Sequence, residues 1–337
     1  MKIVIAGGKG YLGSVLEKYF LEEEITILTR KPVKSNHIYW DGQSLGKWQK
    51  SLEEADVLIN LAGKSVDCRY TPNNKEEILY SRLQSTQILG EALQQCNTPP
   101  KVWVNASSAT IYQHSTDQPM DEKTGKIGED FSMNVCKAWE NEFFSYRLNR
   151  VRQVAIRTAI VIGKTSPAFG KLKWLSLLGM GGKSGTGKQM VSWLHEEDFA
   201  RALAFIIDLP SIRGVVNVAA PYPIQNHAFM KNLRIALGVP LGISHPKWLV
   251  KIGAWLMGTE SELVLKSRYV VPNKLIKAGF IFRYRRVSAA FKTILKGSVP
   301  ITPQGWAAKD DNRRLLLGRK VSAPKYDVIN NKAYELK

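Results

Sequence analysis

The sequence predicts an α/β fold, a doubly wound parallel sheet with helices on both faces and a smaller C-terminal lobe, and three observations carry that prediction. Apolar runs of strand length recur without in–out alternation, as at Lys2-Ile3-Val4-Ile5-Ala6 and Val57-Leu58-Ile59-Asn60-Leu61-Ala62. Strands buried on both faces read this way. Segments of helical length separate the runs, which is the pattern of βαβ units. The first run leads directly into the turn Gly7-Gly8-Lys9-Gly10-Tyr11-Leu12-Gly13.

The elements follow in order. Residues 3–6 form a strand, 11–21 a helix, 25–29 a strand and 37–40 a short third strand. A buried strand over 55–63 precedes a long helix over 75–96. The run at 102–108 is a strand ending in hydroxyls, 132–148 is helical, and 154–163 is the next strand. Beyond Gly163 the alternation breaks. A short helix over 171–178, a glycine-rich loop over 181–189, a helix over 199–207, a strand over 215–218, helices over 245–257 and 260–266, and an extended segment over 279–284 complete the reading. The expected partition is a nucleotide-binding domain over 1–165, with contributions from about 190–220, and a lobe for substrate over 166–296. A basic extension with prolines but no periodicity follows over 297–337.

The 337 residues carry a formal charge of +19 and 44% hydrophobic residues, enough for one large core and a second lobe. Such charge favours phosphate-bearing ligands, and most of the lysines solvate the surface. No zinc-finger, RRM or basic-heptad pattern accompanies it, so nucleic acid is not the expected partner. Three cysteines, Cys68, Cys96 and Cys136, are too few and too scattered for a disulfide framework. His37, His114, His227 and His245 show no ligand spacing, so no metal is expected. The first residues already read as a strand, leaving no room for a signal peptide, and no apolar run reaches spanning length. A cytoplasmic protein is expected. Trp248, Leu249, Ile252, Trp255 and Leu256 repeat at helical spacing and read as one buried helix face.

Gly7, Gly10 and Gly13 form G-x-x-G-x-x-G, and Gly8, Gly10 and Gly13 also satisfy G-x-G-x-x-G. Between a strand and a helix this is a dinucleotide-binding turn. It needs positive φ, close approach of backbone to pyrophosphate, and free N–H groups at the start of the helix that begins with Tyr11 and Leu12. The end of the second strand selects NAD or NADP, because an acid there accepts from the ribose 2′-hydroxyl whereas a cation accommodates a 2′-phosphate. Thr29-Arg30-Lys31 offers two cations and no acid, which points to NADP. Gly182-Lys183-Ser184-Gly185-Thr186-Gly187-Lys188 imitates a P-loop, but Gln189 replaces the Mg²⁺-binding hydroxyl and no helix follows, so kinase or ATPase chemistry is not expected.

The glycine turn, Asn60-Leu61-Ala62-Gly63 and Ser107-Ser108-Ala109-Thr110-Ile111-Tyr112 resemble an extended short-chain dehydrogenase/reductase. More narrowly, Ser81-Arg82-Leu83, Val135-Cys136-Lys137-Ala138-Trp139-Glu140, Trp193-Leu194-His195-Glu196-Glu197-Asp198 and Val271-Pro272-Asn273-Lys274-Leu275 resemble its atypical epimerase family branch, which is associated with nucleoside-diphosphate-sugar epimerases. The resemblance covers about residues 1–296 and implies a Rossmann domain. It also implies an NADP site lined by Arg30, Lys31, Leu61, Ala62, Glu77, Arg82 and Ile160 beside the glycine turn. Family chemistry needs Ser, Tyr and Lys. Ser108 fits the Ser, and Lys137 fits the Lys of Tyr-x-x-x-Lys, but Met133 stands where the Tyr should. Tyr112 is the candidate replacement, with Asp121, Glu122 and His195 behind it, although the place of His195 before an acidic helix start reads as a structural hydrogen bond. The resemblance therefore implies an NADP-dependent epimerase or oxidoreductase acting on a sugar-nucleotide-like or other small anionic substrate. The alternative is an NADP-binding regulatory or scaffold protein with little or no turnover.

Overall fold

Ile3, Val4, Ile5 and Ala6 are all fully buried although alternate residues point to opposite faces, so the first strand needs cover on both sides. The computed structural model, which describes residues 1–296, shows what covers it. The strands β1 (Lys2–Ala6), β2 (Glu24–Thr29), β3 (His37–Tyr39), β4 (Val57–Asn60), β5 (Val102–Ser108) and β6 (Arg152–Thr158) alternate with helices α1 (Tyr11–Tyr19), α2 (Pro72–Gln95) and α3 (Phe131–Ser145). After them come β7 (Ile160–Ile162), α4 (Pro167–Leu175), β8 (Met190–Val191), β9 (Trp193–His195), α5 (Glu196–Asp208), β10 (Gly214–Val218), β11 (Ile224–Gln225) and α6 (Asn226–Leu237). The last are α7 (Lys247–Leu256), α8 (Glu262–Leu265), α9 (Asn273–Lys277) and α10 (Val287–Lys296). The extension expected over 297–337 lies outside the described residues.

Seven strands form one sheet in the order β10-β6-β5-β4-β1-β2-β3, and every pair is parallel. The chain winds outward from β1 to β3 and then crosses back to β4, so its direction of winding reverses between β1 and β4. That switch point is where a crevice opens beyond the strand ends. On one face Ile3, Ile5 and Ile27 pack with Val15 and Leu16 of α1 and Phe199 and Leu203 of α5. On the other, Val4, Leu28 and Trp103 pack with Ile88 and Leu89 of α2 and Phe143 of α3. The unalternating runs are thus strands covered twice.

Beyond β6 the structure differs from the sequence reading in four places. The strand expected over 154–163 breaks at Ala159, whose N–H donates to the Val218 carbonyl at 3.0 Å, and β7 leaves the sheet to pair with β9. The segment expected to be extended over 279–284 is not a β-strand among the described residues. Instead the buried Asp198 carboxylate accepts the Arg283 and Tyr284 N–H groups at 2.9 and 2.8 Å. The helices α6, α9 and α10 were not legible. Finally, α7 forms, but the face carrying Trp248, Ile252, Trp255 and Leu256 is exposed, not buried, and the helix buries only Ala254.

The P-loop-like stretch is a closed turn. Its N–H groups at Gly182, Gly185 and Gly187 donate to carbonyls of Ile243, His245 and Ser184, and β8 follows in place of a helix. No phosphate cradle remains.

A chain of buried polar groups crosses the sheet's carboxyl end. Ser107 Oγ donates to Glu140 Oε1 at 2.6 Å, Arg157 grips Glu140 through two bonds of 2.8 and 2.7 Å, Arg157 Nη1 donates to the Tyr112 hydroxyl at 2.8 Å, and that hydroxyl donates to Asn217 Oδ1 at 2.9 Å. Arg157 and Glu140 are each 7% exposed, so removing one leaves the other charged and unpaired in the interior. Arg157→Met is expected to lower the unfolding free energy by about 3 to 5 kcal/mol. The check is a urea titration, in which a loss under about 1 kcal/mol would show that water reaches the pair.

Candidate functional site

The crevice begins where β1 ends. Gly7 has φ of +72°, and a Cβ there would lie 2.7 Å from the Ala62 Cα, so the glycine lets the turn pass against the end of β4. At Gly10 the situation is opposite. A Cβ would meet nothing nearer than the Gly7 carbonyl at 3.9 Å, so the protein itself does not demand glycine there. Open space at that position fits the close approach of a pyrophosphate, the group the motif implies. Helix α1 starts at Tyr11 with Gly10 as its N-cap, no side-chain cap and no acid in its first turn. The N–H groups of Tyr11, Leu12 and Gly13 therefore face the crevice end of the helix without an acceptor among the described residues. The Tyr11 side chain turns away and donates to Glu196 Oε2 at 2.7 Å, which fastens the turn to α5.

At the end of β2, Thr29 is buried and its hydroxyl accepts from the Lys31 N–H, while Arg30 and Lys31 are exposed. Neither side chain has a hydrogen-bond or ion-pair partner among the described residues. Lys9, which the sequence reading passed over although it lies inside the motif, donates to the Lys31 carbonyl at 3.2 Å and adds a third cation. The contrast with Lys34, which is paired to Glu17 at 2.8 Å, shows that acids are available nearby and are spent elsewhere.

At the end of β4 the Leu61 N–H donates to the Ala6 carbonyl and the Ala62 N–H to Asn60 Oδ1. Asn60 is held in turn by Asn105 at 2.7 Å and by Thr86, which accepts from the Trp139 ring nitrogen. This buried set locks the floor of the crevice. Arg82 packs on Gly63, donates to the carbonyls of Lys64 and Ile78 and lies over the Trp139 ring at 5.1 Å. Burial pushes its pKa down, and no carboxylate pairs with it among the described residues. Glu77 is exposed and tied to Lys64 and Asn73, and Ile160 stands 41% exposed where β7 leaves the sheet. Leu61, Ala62, Gly63 and Arg82 are thus brought together, whereas the Glu77 carboxylate is engaged locally.

Opposite lies α3, capped by Asp130, whose carboxylate accepts the Met133 N–H at 3.0 Å. Met133 is 5% exposed and its sulfur fills the space beside Gly128. Lys137, one turn on, is half-exposed and has no partner among the described residues. Ser108 ends β5 half-buried, its hydroxyl accepting from the Thr110 N–H at 3.2 Å. The expectation that Tyr112 replaces the missing phenol is corrected by the structure. Its hydroxyl is enclosed between Arg157 and Asn217 at 1% exposure, so it cannot reach a ligand. Glu122 is also committed, accepting from the Asn217 and Lys274 N–H groups, and Asp121 closes a turn onto Lys123 and Thr124.

Two residues that the sequence reading missed face the same region. The Tyr70 hydroxyl lies 3.4 Å from Ser132 Oγ, one residue before Met133, and burial pushes its pKa up to about 12. Arg268 lies within electrostatic range of the Asp130 and Glu262 carboxylates and, more weakly, of Cys136 and Tyr70. Its only described side-chain bond is a long one, 3.4 Å, to the Ser267 carbonyl, and burial lowers its pKa. Among the described residues no group of three or more His, Cys, Asp or Glu side chains is placed to hold a metal ion.

A profile of the NAD dependent epimerase/dehydratase family matches residues 3–219, and one of a domain of unknown function, DUF1731, matches residues 245–294. The epimerase family protein SH2119 of Staphylococcus haemolyticus is 32% identical over 87% of this chain and 99% of its own length. The epimerase family protein SDR39U1 of Bos taurus is 30% identical over 88% of this chain and 100% of its own. The crystal structure of human epimerase family protein SDR39U1 (isoform 2) with NADPH superposes with a TM-score of 0.80 at 29% identity, covering 88% of this chain and all of that one.

His195 caps α5. Its Nδ1 accepts the Glu197 N–H at 3.1 Å, its ring stacks on Tyr284 at 3.8 Å, and burial pushes its pKa down to about 3. It is neutral in the folded state and about 6.5 when unfolded, so the unfolded chain binds the extra proton in between. Stability should fall as pH drops from about 6.5 towards 3, with His195 contributing a slope of up to about 1.4 kcal/mol per pH unit. His195→Asn, which keeps a capping oxygen, should flatten that slope. An unchanged pH profile of the melting temperature would show that His195 is not the source.

Proposed function

We propose that this chain, which belongs to the NAD dependent epimerase/dehydratase family, binds NADP(H) at the switch point between β1 and β4 and works on a small anionic substrate of the sugar-nucleotide kind beside it. The observation that carries the reading is the set of three cations, Lys9, Arg30 and Lys31, around the end of β2 with no acid among them. A ribose 2′-phosphate is the group that such a set suits. The human relative with NADPH supports the same choice. When bound, the nicotinamide supplies or takes up a hydride at its C4. The first-turn N–H groups of Tyr11, Leu12 and Gly13 would hold the pyrophosphate and Lys137 the nicotinamide ribose, while Ser108 orients the substrate oxygen.

Arg82 and Arg268 support an anionic substrate. Both guanidiniums are desolvated and neither forms an ion pair among the described residues. The Asp130 and Glu262 carboxylates lie within electrostatic range of Arg268, so it is Arg82 that an incoming phosphate or carboxylate would relieve most through charge-assisted bonds. The proton is the weak point. Met133 offers a thioether, which cannot transfer one. A phenol beside that turn of α3 is Tyr70, and a pKa near 12 keeps it protonated: a donor for the reductive direction and a poor base for the oxidative one. Slow turnover follows, and a protein that retains cofactor binding without turnover is the reading that remains if Tyr70 does not serve.

Two measurements test this. Arg30→Ala should weaken NADPH binding by roughly tenfold or more while leaving NADH binding unchanged. Equal affinities of the parent protein for the two cofactors would overturn the NADP assignment. In an assay over a panel of nucleotide sugars, Tyr70→Phe should lower kcat by about 10² to 10⁴-fold with NADPH affinity retained. Tyr112→Phe should instead lower the melting temperature and spare kcat. Parent-like turnover in Tyr70→Phe would move the proton donor elsewhere.

A further inference from the structure

The charge of this chain is distributed unevenly. Residues 164–195 hold five lysines and no acidic residue, and residues 209–259 hold three lysines, two arginines and none. The fold brings parts of these two segments together. The Ile243 N–H donates to the Gly179 carbonyl at 2.8 Å, the Gly182 N–H donates to the Ile243 carbonyl at 3.1 Å, and His245 Nε2 lies 2.8 Å from the Met180 carbonyl. The turn after α4 and the start of α7 therefore share one edge of the molecule.

Large apolar side chains stand out along that edge. Trp174 is 56% exposed, Leu178 54%, Ile243 66%, Trp248 63%, Trp255 61% and Leu256 69%. Single exposed apolar residues are ordinary, but several on adjoining elements, three of them tryptophans, mark a surface that meets something. Lys173, Lys247 and Lys251 are exposed within the same stretch. Asp67, the acid that reaches α4, is paired to Lys171.

The mixture identifies the partner. Protein interfaces bury their apolar centre and are depleted in lysine. A bilayer surface accepts the opposite arrangement, with Trp and Leu at the boundary of the acyl region and lysines reaching anionic headgroups on long stems. No helix among the described residues is long and apolar enough to cross a membrane, so contact would be in the plane of the interface. We propose that the face formed by the turn after α4, the segment around Ile243 and helix α7 seats this protein on an anionic lipid surface. This inference does not rest on the catalytic reading above. The face does adjoin the cleft, since Lys251 and Trp255 also line a cavity of about 380 Å³ with Arg69, Tyr70 and Glu260.

The test uses the full chain and vesicles of phosphatidylcholine with and without phosphatidylglycerol. The protein should sediment with the anionic vesicles, release as salt rises, and shift its tryptophan emission to shorter wavelength. Lys247→Glu with Lys251→Glu should weaken binding by roughly tenfold or more, and Leu178→Ser with Trp248→Ser should remove the emission shift, both with NADPH affinity intact. Failure to bind anionic vesicles would overturn the proposal. So would vesicle binding that neither pair of substitutions alters, or a concentration-dependent dimer that Leu178→Ser with Trp248→Ser abolishes, since that would make the face an interface between copies.

Discussion

The arrangement of the cleft depends on one buried ion pair, Arg157 with Glu140, and on the hydroxyls at its two ends. Alternation along β5 sends Ser107 down into this pair and leaves Ser108 at the crevice. Glu140 lies on α3 one turn beyond Lys137, so the pair that fixes the helix against β5 and β6 also fixes the height of Lys137 over the sheet. At the far end Asn217 of β10 receives the Tyr112 hydroxyl and donates to the Val271 carbonyl, which ties the lobe to the same chain. Buried pairs of this kind add little net stability, because desolvation offsets attraction. What they supply is a single register, since any slip would strand a charge. Tyr112 is therefore a structural phenol, close in sequence to Ser108 yet enclosed by groups that all need it.

Legibility followed the range of the interactions. The strands of the first half could be read because burial on two faces writes itself into consecutive residues, and the glycine turn could be read because its constraints are local, as the contact between the Gly7 position and Ala62 shows. The lobe could not. Its elements are held by partners far away in sequence: Ser267 by His114, Arg283 and Tyr284 by Asp198, Met120 by the neighbourhood of Val270. Tyr70 and Arg268 were missed for the same reason, because neither sits in a motif and only the fold carries them toward α3. For α7 the failure was of another kind. A period of 3.6 shows that a helix has an apolar face but says nothing about what covers it, and a core, a lipid surface and a second protein all ask for the same spacing.

Net charge was legible as a total and misleading as a location. Several cations of this chain are neutralised where they serve structure: Lys34 by Glu17, Lys101 by Asp56, Lys64 by Glu77, Arg283 by Glu197. Two sets stand without an ion-pair partner among the described residues, Lys9, Arg30 and Lys31 at the end of β2 and Lys173, Lys247 and Lys251 along the edge formed by α4 and α7. Their neighbours decide what each can meet. Around Lys9, Arg30 and Lys31 the adjoining groups are the free N–H donors of a helix start, which converge on one small, highly charged ligand. Around Lys173, Lys247 and Lys251 the adjoining groups are tryptophan and leucine side chains, which are costly to leave in water and match a broad surface that is apolar beneath its charge. The same side-chain chemistry thus reads as a phosphate site in one place and as a surface contact in the other, and what separates the two is whether backbone dipoles or apolar area lie beside the cations.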